Sequence, residues 1–228
     1  MLVCDDFLFL HLHKSAGTFV NQMLLRCIPS ARQIGYHLPY RETPAEFRHL
    51  PILGTVRNPW SYYVSWYHFQ LQQRKPGPLY LICGDNGRGD FLSTIDNLVH
   101  LHERGDLVEQ LAAAFPDHFV RHGLNLTGSC IRRISGSGRG FYSFLYDRLY
   151  EEAASPFIAR QENLRTAVAS FVAQHCGKKF PLIEVFLRDA PPLNVTPHAD
   201  HRSYFDARLK LLVEKADEPL VSRYSYTF

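Results

Sequence analysis

The stretch FLFLHLHKSAGTFVNQMLLRC, residues 7–27, joins an apolar run, a short polar loop and a helical pattern in immediate succession. Residues 7–12 predict a β-strand, and residues 17–27 predict a helix. The loop between them carries Lys14 within HLHKSAGT, residues 11–18. The first backbone N–H groups of a helix and its dipole attract anions, and Lys14 adds a full positive charge. We therefore expect a phosphate- or sulfate-sized anion to bind here.

The same order of elements recurs further along the chain. An apolar run at 51–56 leads into Arg-Asn-Pro, and the aromatic-rich stretch 60–72 predicts a helix that Ser61 would cap. A third apolar run, 156–159, precedes a helical pattern at 162–175. Repetition of strand and helix is typical of an α/β fold with three layers, in which helices flank a central parallel sheet.

The remainder of the chain predicts helices and turns. The stretch 73–90 is rich in Gly, Pro, Asn and Asp, so we expect an ordered surface loop or lid without a regular element. Helical patterns follow at 91–103, 107–115 and 141–152, and a last one covers 204–215. A length of 228 residues favours one domain, 1–228.

Composition narrows the classes of function. A net charge of +3 with scattered basic residues does not indicate a nucleic-acid-binding surface. No apolar stretch approaches the roughly 18 residues of a spanning helix, so we expect no membrane span. Five widely spaced cysteines without a CxxC pair favour a reducing compartment, and the expected location is cytoplasmic.

The loop after the first strand differs from the nucleotide P-loop because it lacks the upstream glycine. Lys14, Ser15, Gly17 and Thr18 could nevertheless surround a phosphate-like group. The alternative is an ordinary strand-to-helix turn. In the second segment, Arg57 at a strand end and Ser65 about two turns into the helix could both reach one anion. Seen alone, that segment is also compatible with a surface arginine and a helix serine that bind no anion.

Together the two segments resemble the sulfotransferases that use 3′-phosphoadenosine 5′-phosphosulfate (PAPS). Residues 11–19, HLHKSAGTF, are similar to that family's HIPKTAGTS loop, and residues 57–67 are similar to its RxPxxRxxSxY segment. The stretch PFIARQENL at 156–164 and the ending YSYTF resemble two further family segments. The chain departs from the pattern at His13, where proline is usual, and at Tyr62, where many members have arginine.

The resemblance implies a P-loop-like fold and transfer of a sulfuryl group from PAPS to a hydroxyl of a carbohydrate or small metabolite, leaving 3′,5′-diphosphoadenosine (PAP). Residues 73–150 would then be a helical and loop insertion on the acceptor side. Lys14 would neutralise the leaving phosphate, and Arg57 and Ser65 would hold the 3′-phosphate. No metal is required. The 5′-phosphosulfate would be bound by the loop and the start of the helix: Lys14, Ser15, Ala16, Gly17, Thr18 and Phe19.

The reaction also needs a general base, for which the sequence offers three candidates. His37 is the first because its usual pKa lies near neutrality. Glu42 is the second and His11 the third. A loop histidine without a catalytic role is an equally good interpretation of His37.

Other classes of function remain as alternatives. A P-loop-like kinase using ATP would need a Walker-type loop and an acidic residue for Mg²⁺, and neither is evident. A non-catalytic nucleotide-binding module would keep the anion site without the base. Closely spaced histidines, such as His11 and His13, suggest a metal site, but none completes a recognised ligand set, and we expect no metal.

Overall fold

A computed structural model describes residues 1–120, 123–177 and 181–228. The chain divides into two compact units, neither of which is continuous in sequence. The first unit comprises Met1–Arg57, Val120–Asn125 and Tyr146–Val195. The second comprises Asn58–Phe119, Leu126–Leu145 and Thr196–Phe228. The stretch 73–150 is therefore divided between the units, and its residues 121 and 122 lie outside the described part of the chain.

The first unit contains a five-stranded mixed sheet with strand order β3-β1-β2-β4-β5. Its strands are β1 (Leu2–Val3), β2 (Leu8–Leu10), β3 (Arg32–Gln33), β4 (Ile52–Val56) and β5 (Phe157–Arg160). The expected strands at 7–12, 51–56 and 156–159 are confirmed as β2, β4 and β5. All side chains of β2 and β4 are buried, which explains why both read as continuous apolar runs.

The prediction of a parallel sheet was correct for only part of it. β2, β4 and β5 run parallel to one another. β1 pairs antiparallel with both β2 and β3, so the sheet is mixed. β1 and β3 have two residues each, too few to show a period of two in the sequence.

Eleven α-helices occur among the described residues. They are α1 (Gly17–Cys27), α2 (Pro59–Leu71), α3 (Pro78–Cys83), α4 (Phe91–Val99), α5 (Gly105–Ala114), α6 (Gly128–Arg132), α7 (Phe141–Tyr150), α8 (Leu164–Cys176), α9 (Pro181–Asp189), α10 (Ala207–Ala216) and α11 (Glu218–Arg223). The predicted helices at 17–27, 60–72, 91–103, 107–115, 141–152, 162–175 and 204–215 are confirmed, with shifts at their ends.

The core of the first unit lies between the sheet and three helices. α1 buries Val20, Met23, Leu24 and Cys27, the spacing expected for one face of a helix. α8 contributes Val168, Phe171 and Val172 to the same core, and α9 contributes Ile183 and Leu187. This packing fixes the start of α1, and with it the end of the loop after β2.

The second unit is helical and has an aromatic core. Trp60, Tyr62, Tyr63 and Trp66 of α2 are at most 1% exposed, and the Tyr62 ring stacks on Tyr142 with centroids 3.9 Å apart. The crowded aromatic residues of α2 are thus mainly core residues. The cap of this helix differs from the prediction: Asn58, not Ser61, is the N-cap, and its side chain accepts from the Ser61 N–H at 3.2 Å.

We expected no regular element in the stretch 73–90, but the structure contains one there. It contains α3, which begins at Pro78 and buries Leu79, Tyr80 and Cys83. Proline suits the first turn of a helix. The surrounding Gly and Asn residues are typical of turns, so the sequence did not predict this helix of six residues. Among the described residues, no helix is long and apolar enough to cross a membrane.

Candidate functional site

Two loops of the first unit meet at one edge of the sheet. β2 and β4 are adjacent and parallel, with Leu10 opposite Gly54, so the chain leaves both strands on the same side. Arg57 follows β4 directly, and its Nη1 donates to the main-chain carbonyl of Lys14 at 3.3 Å. The sequence predicted both residues separately as anion ligands, and the fold places them in contact. The carboxyl ends of parallel strands are where α/β folds commonly bind ligands.

The loop after β2 is tightly wound before it enters α1. Lys14 and Ala16 have φ values of 53° and 61°, in the left-handed region that non-glycine residues seldom adopt. The Ala16 carbonyl accepts from the Phe19 N–H at 3.0 Å. The Ser15 hydroxyl is buried and donates to the His13 carbonyl at 3.2 Å. These bonds give the loop a defined shape.

Gly17 is needed because of a neighbouring ring. A Cβ at this position would lie 1.7 Å from Cδ2 of His11 and 2.1 Å from its Nε2. The His11 imidazole therefore covers the glycine closely, and any larger residue would displace it. The sequence suggested that Gly17 allows an anion to approach the backbone, and the close contact with His11 is a second reason for glycine.

Lys14 lies in an environment that disfavours its charge. It is half-buried, and burial, together with the nearby Arg57, lowers the pKa of Lys14 to about 8. Two cations placed side by side repel each other, and a bound anion would relieve that repulsion. The electrostatics therefore fit a site for a multiply charged anion.

Three histidines, of which His11 and His37 are buried and His13 is half-buried, form a cluster beside this loop. The ring centroids of His11 and His37 are 4.4 Å apart, and those of His13 and His37 are 5.2 Å apart. Burial lowers the pKa values of His11 and His13 well below their usual range, and the His37 imidazole contributes to both shifts. We refer to His11, His13 and His37 as the histidine cluster. Its rings are neutral at pH 7.

The tautomer of His37 follows from its hydrogen bond. Nδ1 of His37 lies 2.7 Å from the main-chain carbonyl oxygen of His11. A carbonyl only accepts, so Nδ1 carries the proton and Nε2 keeps its lone pair. Burial lowers the pKa of His37 to about 3, although the bond to His11 acts in the opposite direction. The free protein therefore holds His37 in the form that can accept a proton.

The other predicted residues of the loop and its surroundings occupy different environments. Thr18 is half-buried in the first turn of α1. Phe19 is buried, and its ring packs on Phe186 with centroids 5.3 Å apart; because its N–H is bound to Ala16, it mainly anchors the helix. Glu42 lies on an exposed 3₁₀ turn, where its carboxylate pairs with Arg41 at 3.7 Å.

Ser65 belongs to the second unit. It is buried in α2, with 4% of its surface exposed. Its assignment to the 3′-phosphate stays a prediction from the sequence. Tyr62 of the same helix is fully buried against Tyr142.

Sequence reasoning missed three residues that support the site. The Tyr150 hydroxyl accepts from the Thr55 N–H at 2.9 Å, beside the end of β4. Arg148 donates to the main-chain carbonyl of His37 at 2.9 Å, and Asn125 donates from Nδ2 to the Tyr36 carbonyl at 2.5 Å. All three are distant in sequence from the partners they bind. No local motif could have revealed them.

Within the described ranges, no group of three or more His, Cys, Asp or Glu side chains is arranged to hold a metal ion. The five cysteines all lie in the described part of the chain, are buried, and form no disulfide. No protein-family model matches the chain, and a search of the curated proteins finds no match.

Proposed function

We propose that this protein is a sulfotransferase with a P-loop-like donor site, which transfers a sulfuryl group from PAPS to a hydroxyl of a carbohydrate or small metabolite. The observation that carries the proposal is the contact between Arg57 and Lys14. The two residues lie in separate segments that each resemble a donor-binding segment of PAPS-dependent sulfotransferases. Chance similarity of either segment alone would not require them to meet.

The loop supplies the chemistry that a phosphosulfate needs. In the reaction, the acceptor oxygen forms a bond to sulfur while the bond between sulfur and the 5′-phosphate oxygen breaks. Negative charge grows on the departing phosphate. Lys14 and the N–H groups at the start of α1 stabilise this charge, and because they are fixed in place they need no rearrangement in the transition state.

His37 is the residue we propose as general base. Its Nε2 lone pair accepts the acceptor's proton as the new oxygen–sulfur bond forms, and the bond from Nδ1 to His11 keeps the ring oriented. A pKa of about 3 in the free protein makes His37 a weak base. A bound phosphosulfate brings negative charge close to the histidine cluster and raises that pKa.

A non-catalytic anion-binding module is the second candidate, and the same low pKa of His37 favours it. If donor binding leaves the pKa of His37 near 3, proton transfer is inefficient at neutral pH. The site would then bind PAP or PAPS without turnover. The two functions share the donor site and differ in the state of His37.

Calorimetric titration with PAP, ATP and AMP, first without metal and then with Mg²⁺, tests the donor site. We expect selective binding of PAP without metal, and a large loss of affinity in Lys14→Ala and in Arg57→Ala. The matched controls are Lys215→Ala and Arg188→Ala, since both residues are exposed and lie outside this site. Stronger binding of ATP with Mg²⁺ would overturn the proposal in favour of a kinase.

Turnover separates the enzyme from the module. Radiolabelled PAPS is incubated with a panel of carbohydrate and small hydroxyl acceptors, and His37→Ala is compared with the unmodified chain. We expect transfer that falls about 10²- to 10⁴-fold in His37→Ala, the usual contribution of a general base. Tight PAP binding with no transfer to any acceptor would support the module.

A further inference from the structure

We propose that Arg148 and Asn125 are positioning residues that hold the main chain at His37, and with it the imidazole, in place. This inference rests on the proposed role of His37 as a base. The sequence analysis gave neither residue a role in the site, and both belong to the first unit.

The side chain of Arg148 joins two main-chain segments. Only 4% of the surface of Arg148 is exposed. Its Nη2 donates to the carbonyl of His37 and its Nη1 to the carbonyl of Asn125, each at 2.9 Å. The planar guanidinium presents both donors in a fixed geometry, whereas a lysine ammonium would offer one nitrogen at the end of a flexible chain.

Asn125 extends this arrangement to the residue before His37. Its Nδ2 donates to the carbonyl of Tyr36 at 2.5 Å, and its Oδ1 accepts from the N–H of Val120 at 2.7 Å. Two successive carbonyls, those of Tyr36 and His37, are thus bound by two buried side chains. We call Arg148 and Asn125 the His37 clamp.

The backbone that the clamp holds is unusual. His37 has φ 50° and Asn125 has φ 54°, both in the left-handed region. Residues other than glycine seldom adopt this conformation, and it persists where the surroundings enforce it. With the main chain fixed in this way, the bond from Nδ1 to the His11 carbonyl points the Nε2 lone pair in one direction.

Arg148 also acts through its charge. The groups that face His37 are His11, His13, Tyr36, the amino group of Met1 and Arg148. The histidines are neutral in the free protein, so the charges that disfavour a protonated His37 are those of Arg148 and of any protonated Met1 amino group. Two substitutions separate the effects of hydrogen-bond geometry and charge at Arg148. Arg148→Lys keeps the positive charge but loses the paired guanidinium donors, and Arg148→Met loses both.

The experiment combines NMR titration of the His37 ring in the free protein with steady-state kinetics using PAPS. In Arg148→Met we expect the pKa of His37 to rise, because a nearby cation is removed. In Arg148→Lys we expect less than half of that rise, with kcat reduced about 10- to 100-fold and KM for PAPS unchanged, because the base is misplaced. Arg165→Lys is the matched control, since Arg165 also donates to two carbonyls, those of Leu187 and Ala190. This control should change neither the pKa of His37 nor the pH profile.

The outcomes distinguish this inference from the proposed function. If the unmodified chain does not bind PAP, the proposed function fails, while the NMR titration still reports on the clamp. An unchanged pKa of His37 in Arg148→Met, or an unchanged kcat in a folded Arg148→Lys, overturns the positioning role. If neither variant folds, Asn125→Ala replaces them: a kcat about tenfold lower at constant KM supports the clamp, and an unchanged kcat refutes it.

Discussion

Nδ1 of His37 donates to the main-chain carbonyl of His11 across 2.7 Å, linking the loop before β4 to the loop after β2. The bond defines the tautomer of a buried imidazole in a cluster of three histidines. It also means that the first and third candidates for the general base, His37 and His11, are parts of one arrangement. Glu42, on an exposed turn, lies in a more polar environment.

Binding of PAP is expected to weaken as the pH rises above about 8. Burial and Arg57 lower the pKa of Lys14 to about 8 in the free protein, so the ammonium that attracts the anion is progressively lost above that value. Below it, Lys14 is protonated and affinity is at its highest. Calorimetry between pH 6 and 10 measures this dependence. The pH dependence of PAP affinity should disappear in Lys14→Met and persist in Lys215→Met. If Lys14→Met keeps the pH dependence of the unmodified chain, the titrating group is not Lys14.

Gly17→Ala is expected to destabilise the protein by about 1–3 kcal/mol, the usual cost of overpacking a core. The added methyl would lie within 2.1 Å of two atoms of the His11 ring. Urea denaturation gives the free energy of unfolding. In the His11→Ala background, Gly17→Ala should reduce the free energy of unfolding much less than it does in the unmodified chain, because the His11 ring is absent. Equal losses in both backgrounds would show that backbone conformation, rather than the ring, requires glycine.

Tyr150→Phe is expected to reduce the free energy of unfolding by about 1–3 kcal/mol. The hydroxyl of Tyr150 accepts from the Thr55 N–H at 2.9 Å and donates to the Thr55 carbonyl at 3.1 Å, and both groups are buried. Phenylalanine leaves the N–H without that acceptor. Thermal or urea unfolding measures the change, with Tyr36→Phe as the exposed control. A loss no larger than in the control would mean that β4 does not depend on this bond.

Asp217→Ala is expected to destabilise the second unit by about 3 kcal/mol, because a buried acceptor of two hydrogen bonds is removed. The carboxylate is fully buried, accepts from the Tyr63 hydroxyl at 2.7 Å and from the Ser143 N–H at 2.8 Å. Tyr63→Phe removes only one of these bonds and should cost less. Amide hydrogen exchange of α7 would locate the effect. Full protection of α7 in Asp217→Ala would contradict this account.

Elements with a strong local pattern were predictable. α1 agrees with its predicted bounds, 17–27, because its apolar residues follow the helical period and lie against the sheet. β2 and β4 were recognisable as apolar runs. Sequence reasoning missed α9, which has nine residues, and three shorter helices, α3, α6 and α11, which have six, five and six. Helices this short depend on tertiary packing rather than on intrinsic propensity.

Some residues of the candidate site could be predicted from local sequence, and others could not. Lys14, Ser15, Gly17 and Arg57 could be selected from the sequence because they lie next to a strand end or a helix start, where backbone geometry by itself creates an anion site. The roles of Arg148 and Asn125 could not be inferred, since the partners of Arg148 are 111 and 23 residues away in sequence.

The sequence by itself determined the strand–loop–helix units and the positive charges at their ends, because hydrophobic period, glycine and lysine act over a few neighbouring residues. Only the tertiary structure decided that the sheet is mixed, that Arg57 meets the loop of Lys14, and that three histidines form one cluster. Those relationships depend on strand register and on long-range hydrogen bonds, which form between segments whose separation along the chain carries no local signal.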